Sequence, residues 1–173
     1  MKASTIENKF PLLAVEHDCI ISKDADITVA YYVELPELFT VTNAEYEAIH
    51  SSWAKAVKVL PEYCVVHKQD WFVRETYKPA TDKDDMSFLS RSFEKHFNER
   101  PFLNHSCFLF LTKTTKERMR MQSNFSSLCR GNIIPKEVNK DTSVKFLEAV
   151  GQFERIMNDS GFIALTRITS DEI

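Results

Sequence analysis

Asp26-Ile27-Thr28-Val29-Ala30-Tyr31-Tyr32-Val33-Glu34-Leu35 carries Ile27, Val29, Tyr31, Val33 and Leu35 at every second position, with Thr28, Ala30, Tyr32 and Glu34 between them. Successive side chains of an extended chain leave opposite faces, so this period of two predicts a half-buried strand. Pro36 ends it. Thr42-Asn43-Ala44-Glu45 has capping-box spacing: the Thr hydroxyl accepts from an early helix N–H, and the Glu carboxylate reaches back to the cap. A helix should follow. Tyr46, Ile49, Trp53, Ala56, Val57 and Leu60 recur at intervals of three and four to form one apolar stripe, which Pro61 terminates. Tyr63 to Val73 then reads as a returning strand. The fold is decided by this strand, helix, strand run from Asp26 to Phe72.

Working outward, Phe10 to Glu16 and Cys19 to Lys23 read as short strands joined through Glu16-His17-Asp18, which gives an N-terminal β-meander with the strand at Asp26. Arg74 to Asp82 contains Pro79 and has no period, so a loop is expected there. Asp84 or Asp85 can cap a second helix, in which Met86, Leu89, Phe93 and Phe97 form a stripe before Arg100-Pro101. Phe102 to Thr112 is the most apolar strand, and Cys107 to Leu111 is hydrophobic on both faces. Lys113 to Lys140 reads as a long excursion with a short helix near Arg118 to Leu128. Thr142 or Ser143 starts the last helix, whose apolar face is Phe146, Leu147, Val150, Phe153, Ile156 and Met157. Ser160-Gly161 is its C-terminal cap, and Ile163 to Ile168 closes as a strand. The expectation is an α+β fold: a mainly antiparallel sheet of two βαβ units, as in ferredoxin-like folds, with the helices on one face.

With 173 residues, 43% of them hydrophobic, the chain can bury one core, and residues 1–173 read as a single domain. A net charge of −3 gives no global attraction to nucleic acid or anionic lipid. The four cysteines, Cys19, Cys64, Cys107 and Cys129, form no CxxC pair, which fits a reducing cytosol. The longest apolar run falls far short of the roughly 20 residues that cross a bilayer. Only three glycines occur, Gly131, Gly151 and Gly161, so neither common phosphate-cradling loop can be built.

Chemistry is hard to find. His105 and Cys107 share a strand face, but nothing completes a metal site, and Cys64 and His67 point apart. No GxSxG elbow occurs, and Cys129-Arg130-Gly131 gives no sign of an activated thiol. Asp84-Asp85 and Glu16 with Asp18 read as a helix cap and a turn. The expectation is a non-enzyme with no catalytic, cofactor-binding or metal residues. Two features remain. Trp71 and Phe72 point to opposite faces of their strand, so one can anchor a partner unless a helix covers both. Arg118, Met119, Arg120 and Met121 offer basic and flexible apolar contacts, or simply a solvated helix face.

Several stretches resemble the start of TraG-family conjugative-transposon ATPases: ENKFPLLAVE at Glu7 to Glu16, ISKDADITVA at Ile21 to Ala30, VELPELFTVT at Val33 to Thr42, VVHKQDWF at Val65 to Phe72, FNERPFLNH at Phe97 to His105, and LTKTTKERMRMQSNFSSLCRG at Leu111 to Gly131. The resemblance implies a bacterial type IV secretion ATPase at the cytoplasmic face of the inner membrane. In that family ATP and Mg belong to a C-terminal RecA-like domain whose Walker loop is not found among these residues. The chain then corresponds to an N-terminal, non-catalytic docking domain. Its partners would be inner-membrane channel subunits and neighbouring protomers, with Trp71, Phe72, Arg118 and Arg120 as candidate contacts. The alternatives are a nucleic-acid-binding module using the basic residues between Lys113 and Arg130, and a domain that binds nucleotide by itself.

Overall fold

The computed structural model describes residues 11–23, 26–37, 39–77, 87–98, 100–114 and 140–172. Among the described residues the fold is α+β, an antiparallel six-stranded sheet with three helices. The strands β1 (Leu12–Glu16) and β2 (Cys19–Ser22) form the expected hairpin, with Glu16 opposite Cys19. Its two turn residues, His17 and Asp18, hold φ angles of 54° and 58°. Positive φ at both positions is the type I′ form of a two-residue hairpin, whose twist matches that of the strands, and residues with a Cβ resist it.

Strand β3 (Ile27–Glu34) pairs β5 (Pro101–Lys113) along one edge. Two short strands share its other edge. β2 pairs at Ile27 and Thr28, and β6 (Ala164–Arg167) pairs from Tyr31 to Glu34. β4 (Cys64–Thr76) lies beyond β5. The helix α1 (Asn43–Val59) joins β3 to β4, and α3 (Lys140–Asp159) joins β5 to β6. Both expected strand–helix–strand units are therefore present, and each crossover passes over one strand of the other. The helix α2 (Phe88–Asn98) stands between β4 and β5 in sequence.

Two compact units emerge, one from residues up to Lys68 and from Phe108 onward, the other from Gln69 to Cys107. The core of the first follows from the two sequence periods. Val29, Tyr31 and Val33 alternate inward from β3, as do Leu109 and Leu111 from β5. Phe146, Val150, Phe153 and Met157, spaced by four, three and four, line one side of α3, and all are buried. Trp53 of α1 meets Phe153 edge to face with ring centres 5.8 Å apart, so the two long helices pack together. The Tyr31 hydroxyl donates to Glu154 Oε2 at 3.0 Å, and burial beside that carboxylate pushes the phenol well above its ordinary range.

The capping box forms as read. Glu45 N–H donates to Thr42 Oγ1 at 3.3 Å, and Thr42 N–H donates to Glu45 Oε2 at 2.7 Å. Gly161 takes φ of 72° after α3, with its N–H bonded to Asn158 O at 3.1 Å.

Other expectations need correction. Tyr46 and Val57 are exposed, so the buried side of α1 runs through Ile49, Trp53, Ala56 and Leu60. Arg74 to Thr76 continue β4 instead of opening a loop. Ser87, not an aspartate, caps α2: its Oγ accepts from Ser90 N–H at 3.3 Å. α3 begins at Lys140, somewhat before Thr142. Asp84, Asp85, Met86 and the excursion with its short helix near Arg118 to Leu128 lie outside the described residues.

Candidate interaction surface

The second unit is built from the far part of β4, α2 and the first part of β5. Among its described residues Cys107 is buried, while most of the large apolar side chains are exposed. Trp71 is 53% exposed, Phe72 63%, Phe88 85%, Leu89 79%, Phe93 64% and Leu103 65%. Apolar side chains scattered singly over a surface are ordinary, but large ones gathered on one small unit make it the candidate interaction surface.

The geometry is nevertheless ordered. Asp70, Phe72 and Arg74 alternate to one face of β4, and Trp71 and Val73 to the other. His105 Nε2 lies 2.8 Å from Asp70 Oδ1, and the same imidazole stacks on Phe72 with ring centres 4.6 Å apart and planes within 15°. The carboxylate thus fixes the tilt of the imidazole, and the imidazole supports Phe72 from one side. Phe93 and Phe97 of α2 meet at 4.5 Å, and Tyr77 lies against Phe97 while its hydroxyl donates to Glu94 Oε1 at 3.3 Å.

Trp71 and Phe72, singled out in the sequence, are both exposed, on opposite faces of β4. Arg118 and Arg120 lie outside the described residues. The sequence missed Phe88, Leu89, Phe93 and Leu103 as surface groups. Leu89 and Phe93 have the spacing of a core-facing helix, and periodicity alone cannot distinguish a stripe that meets a core from one that meets a partner.

The first unit holds polar contacts that fasten its edge. Arg167 Nη2 donates to Asp18 O at 3.3 Å and lies 3.5 Å from Cys19 Sγ. Burial pushes the Cys19 thiol up despite that guanidinium, and burial pushes the Cys64 thiol up to about 11 against the opposing pull of Lys113. Protonated thiols of this kind are the reverse of activated nucleophiles. Among the described residues no group of three His, Cys, Asp or Glu side chains is gathered for a metal ion, and no helix is long and apolar enough to cross a membrane.

Residues 1–51 match a protein family described as a domain of unknown function, B. Theta Gene description (DUF3875). The matched stretch takes in the β1–β2 hairpin, β3 and the first half of α1. A comparison with curated proteins gave no match.

Proposed function

We propose that this chain is a non-catalytic docking module of a TraG-like conjugative-transfer ATPase, one that seats the motor on inner-membrane channel subunits at the cytoplasmic face. The observation that carries the docking role is the second unit, whose large apolar side chains are displayed to solvent on an ordered strand and helix. Burying such a surface against a partner would release about 25 cal/mol for each Å² of apolar area covered. The resemblance of the quoted stretches supports the choice of machine, and the net charge of −3 favours a protein partner over a nucleic acid.

The test is co-purification of the chain with inner-membrane channel subunits from the same secretion system. Retained association by the native chain, with loss in a Trp71→Ala, Phe72→Ala double variant that keeps its circular dichroism spectrum, is the expected result. Full association by that variant would remove the surface from the reading, and no association by the native chain would remove the reading itself.

A further inference from the structure

The outer edge of β4 matches itself. Among the described residues β4 is the last strand on its side of the sheet order. Thr114 N–H donates to Tyr63 O at 3.0 Å, so Tyr63 and every second residue after it turn their backbone groups toward β5. The ring contacts His67–Phe110 and Phe72–His105 keep that register. The even-numbered residues, Phe72 and Arg74 among them, therefore turn N–H and C=O toward the far side of the strand.

From this the geometry points to a two-fold pairing of β4 with β4 of a second copy of this chain, antiparallel and centred on Phe72. This deepens the docking reading by naming a partner for the same unit. Backbone parity allows only registers in which a residue of even number faces another of even number. Centring on Phe72 sets Phe72 against its own copy, Trp71 against Val73 twice on the opposite face, and Asp70 against Arg74 twice. Three exposed apolar residues then cover each other, and each carboxylate meets a guanidinium. Asp70 already accepts from His105, and a carboxylate has room for more than one donor. Neighbouring registers do worse. Centring on Asp70, Arg74 or Glu75 stacks a charge on itself, centring on Trp71 sets Lys68 against Arg74, and centring on Val73 separates Asp70 from Arg74. Centring on Gln69 spares the charges by pairing Lys68 with Asp70, but sets Phe72 against the half-buried Val66.

Sedimentation of the full chain tests this. The native chain should form a dimer. Arg74→Asp, and separately Asp70→Arg, should each weaken it about tenfold, because both cross-strand pairs become like-charged. A mixture of these two variants should associate, since each then supplies the charge the other needs. A crosslink needs no charge change: under oxidation Phe72→Cys should give a disulfide dimer beyond any formed by the native cysteines, because hydrogen-bonded partners sit about 5.5 Å apart at Cα. A monomeric native chain, an Arg74→Asp chain that associates as the native one does, a mixture of folded variants that stays monomeric, or a crosslink at Gln69→Cys in place of Phe72→Cys overturns the pairing. A monomer that still co-purifies with channel subunits overturns the pairing alone. A dimer that captures none overturns the channel-docking reading and leaves the pairing standing.

Discussion

Asp18 and Ser170, 152 residues apart, hold each other by both backbone and side chain: Ser170 N–H donates to Asp18 Oδ1 at 2.8 Å, and Asp18 N–H donates to Ser170 Oγ at 2.9 Å. The first partner sits in the strained β1–β2 turn and the second just past β6. β2 and β6 occupy successive lengths of the same edge of β3, and this contact, with Arg167, ties their adjoining ends. The short N-terminal hairpin is thereby fixed to the last strand of the chain.

The Ser170 contacts hold the Asp18 carboxyl below its ordinary value of 3.8. A carboxyl depressed in the folded state adds stability above its unfolded pKa, and that contribution is lost as pH falls through the folded value. Urea midpoints measured between about pH 5 and about pH 2 should therefore fall more steeply for the native chain than for Asp18→Asn. Equal slopes would mean that the bond does not distinguish the ionised form.

The capping box at Thr42 and Glu45 supplies a second expectation. Thr42→Ala removes the acceptor for Glu45 N–H and the hydroxyl that donates to Glu45 Oε2 at 2.7 Å. It should cost about 1 kcal/mol in chemical unfolding, with the slope of the transition unchanged. Glu45→Gln keeps the reach back to the cap and should cost less.

How legible this fold was depended on whether the signal was local. The period of two in β3, the Thr42 box and the Gly161 cap each state their own geometry within a few residues, and each element appears where its residues placed it. The extension of β4 through Arg74 to Thr76 was not legible, because strand content there comes from pairing with β5 rather than from alternation. Trp71 and Phe72 announced themselves by adjacency, since neighbours on a strand cannot both face one core. Leu89 and Phe93 did not. An apolar helix stripe states only that something covers it, and what covers it is a tertiary or quaternary fact.

Phe153 tests the helix side of the core. Its ring is fully buried and touches Trp53 edge to face, which joins α1 to α3. Phe153→Ala should destabilise the chain by about 3–5 kcal/mol, while Phe88→Ala, at a side chain left in water, should change stability by less than about 0.5 kcal/mol. Thermal melts of the two variants beside the native chain would show the contrast, and comparable losses would mean that Phe88 is covered in solution.

Cys64 offers a probe of the junction where β4 begins. Burial raises its thiol to about 11, and the nearby Lys113 pulls it back down. Lys113 is itself held by the Glu62 carbonyl and lies 5.4 Å from the centre of the Tyr63 ring, so its ammonium is fixed near the thiol. The thiolate is the reacting species, so alkylation of Cys64 should be slow at neutral pH and should climb toward pH 11, following that value. Lys113→Met keeps the aliphatic stem but removes the charge that favours the thiolate. It should move the alkylation profile to still higher pH, and a shift to lower pH would show that Lys113 acts by shielding the thiol from reagent. Peptide mapping distinguishes Cys64 from the buried Cys19 and Cys107, which should react more slowly in the folded chain.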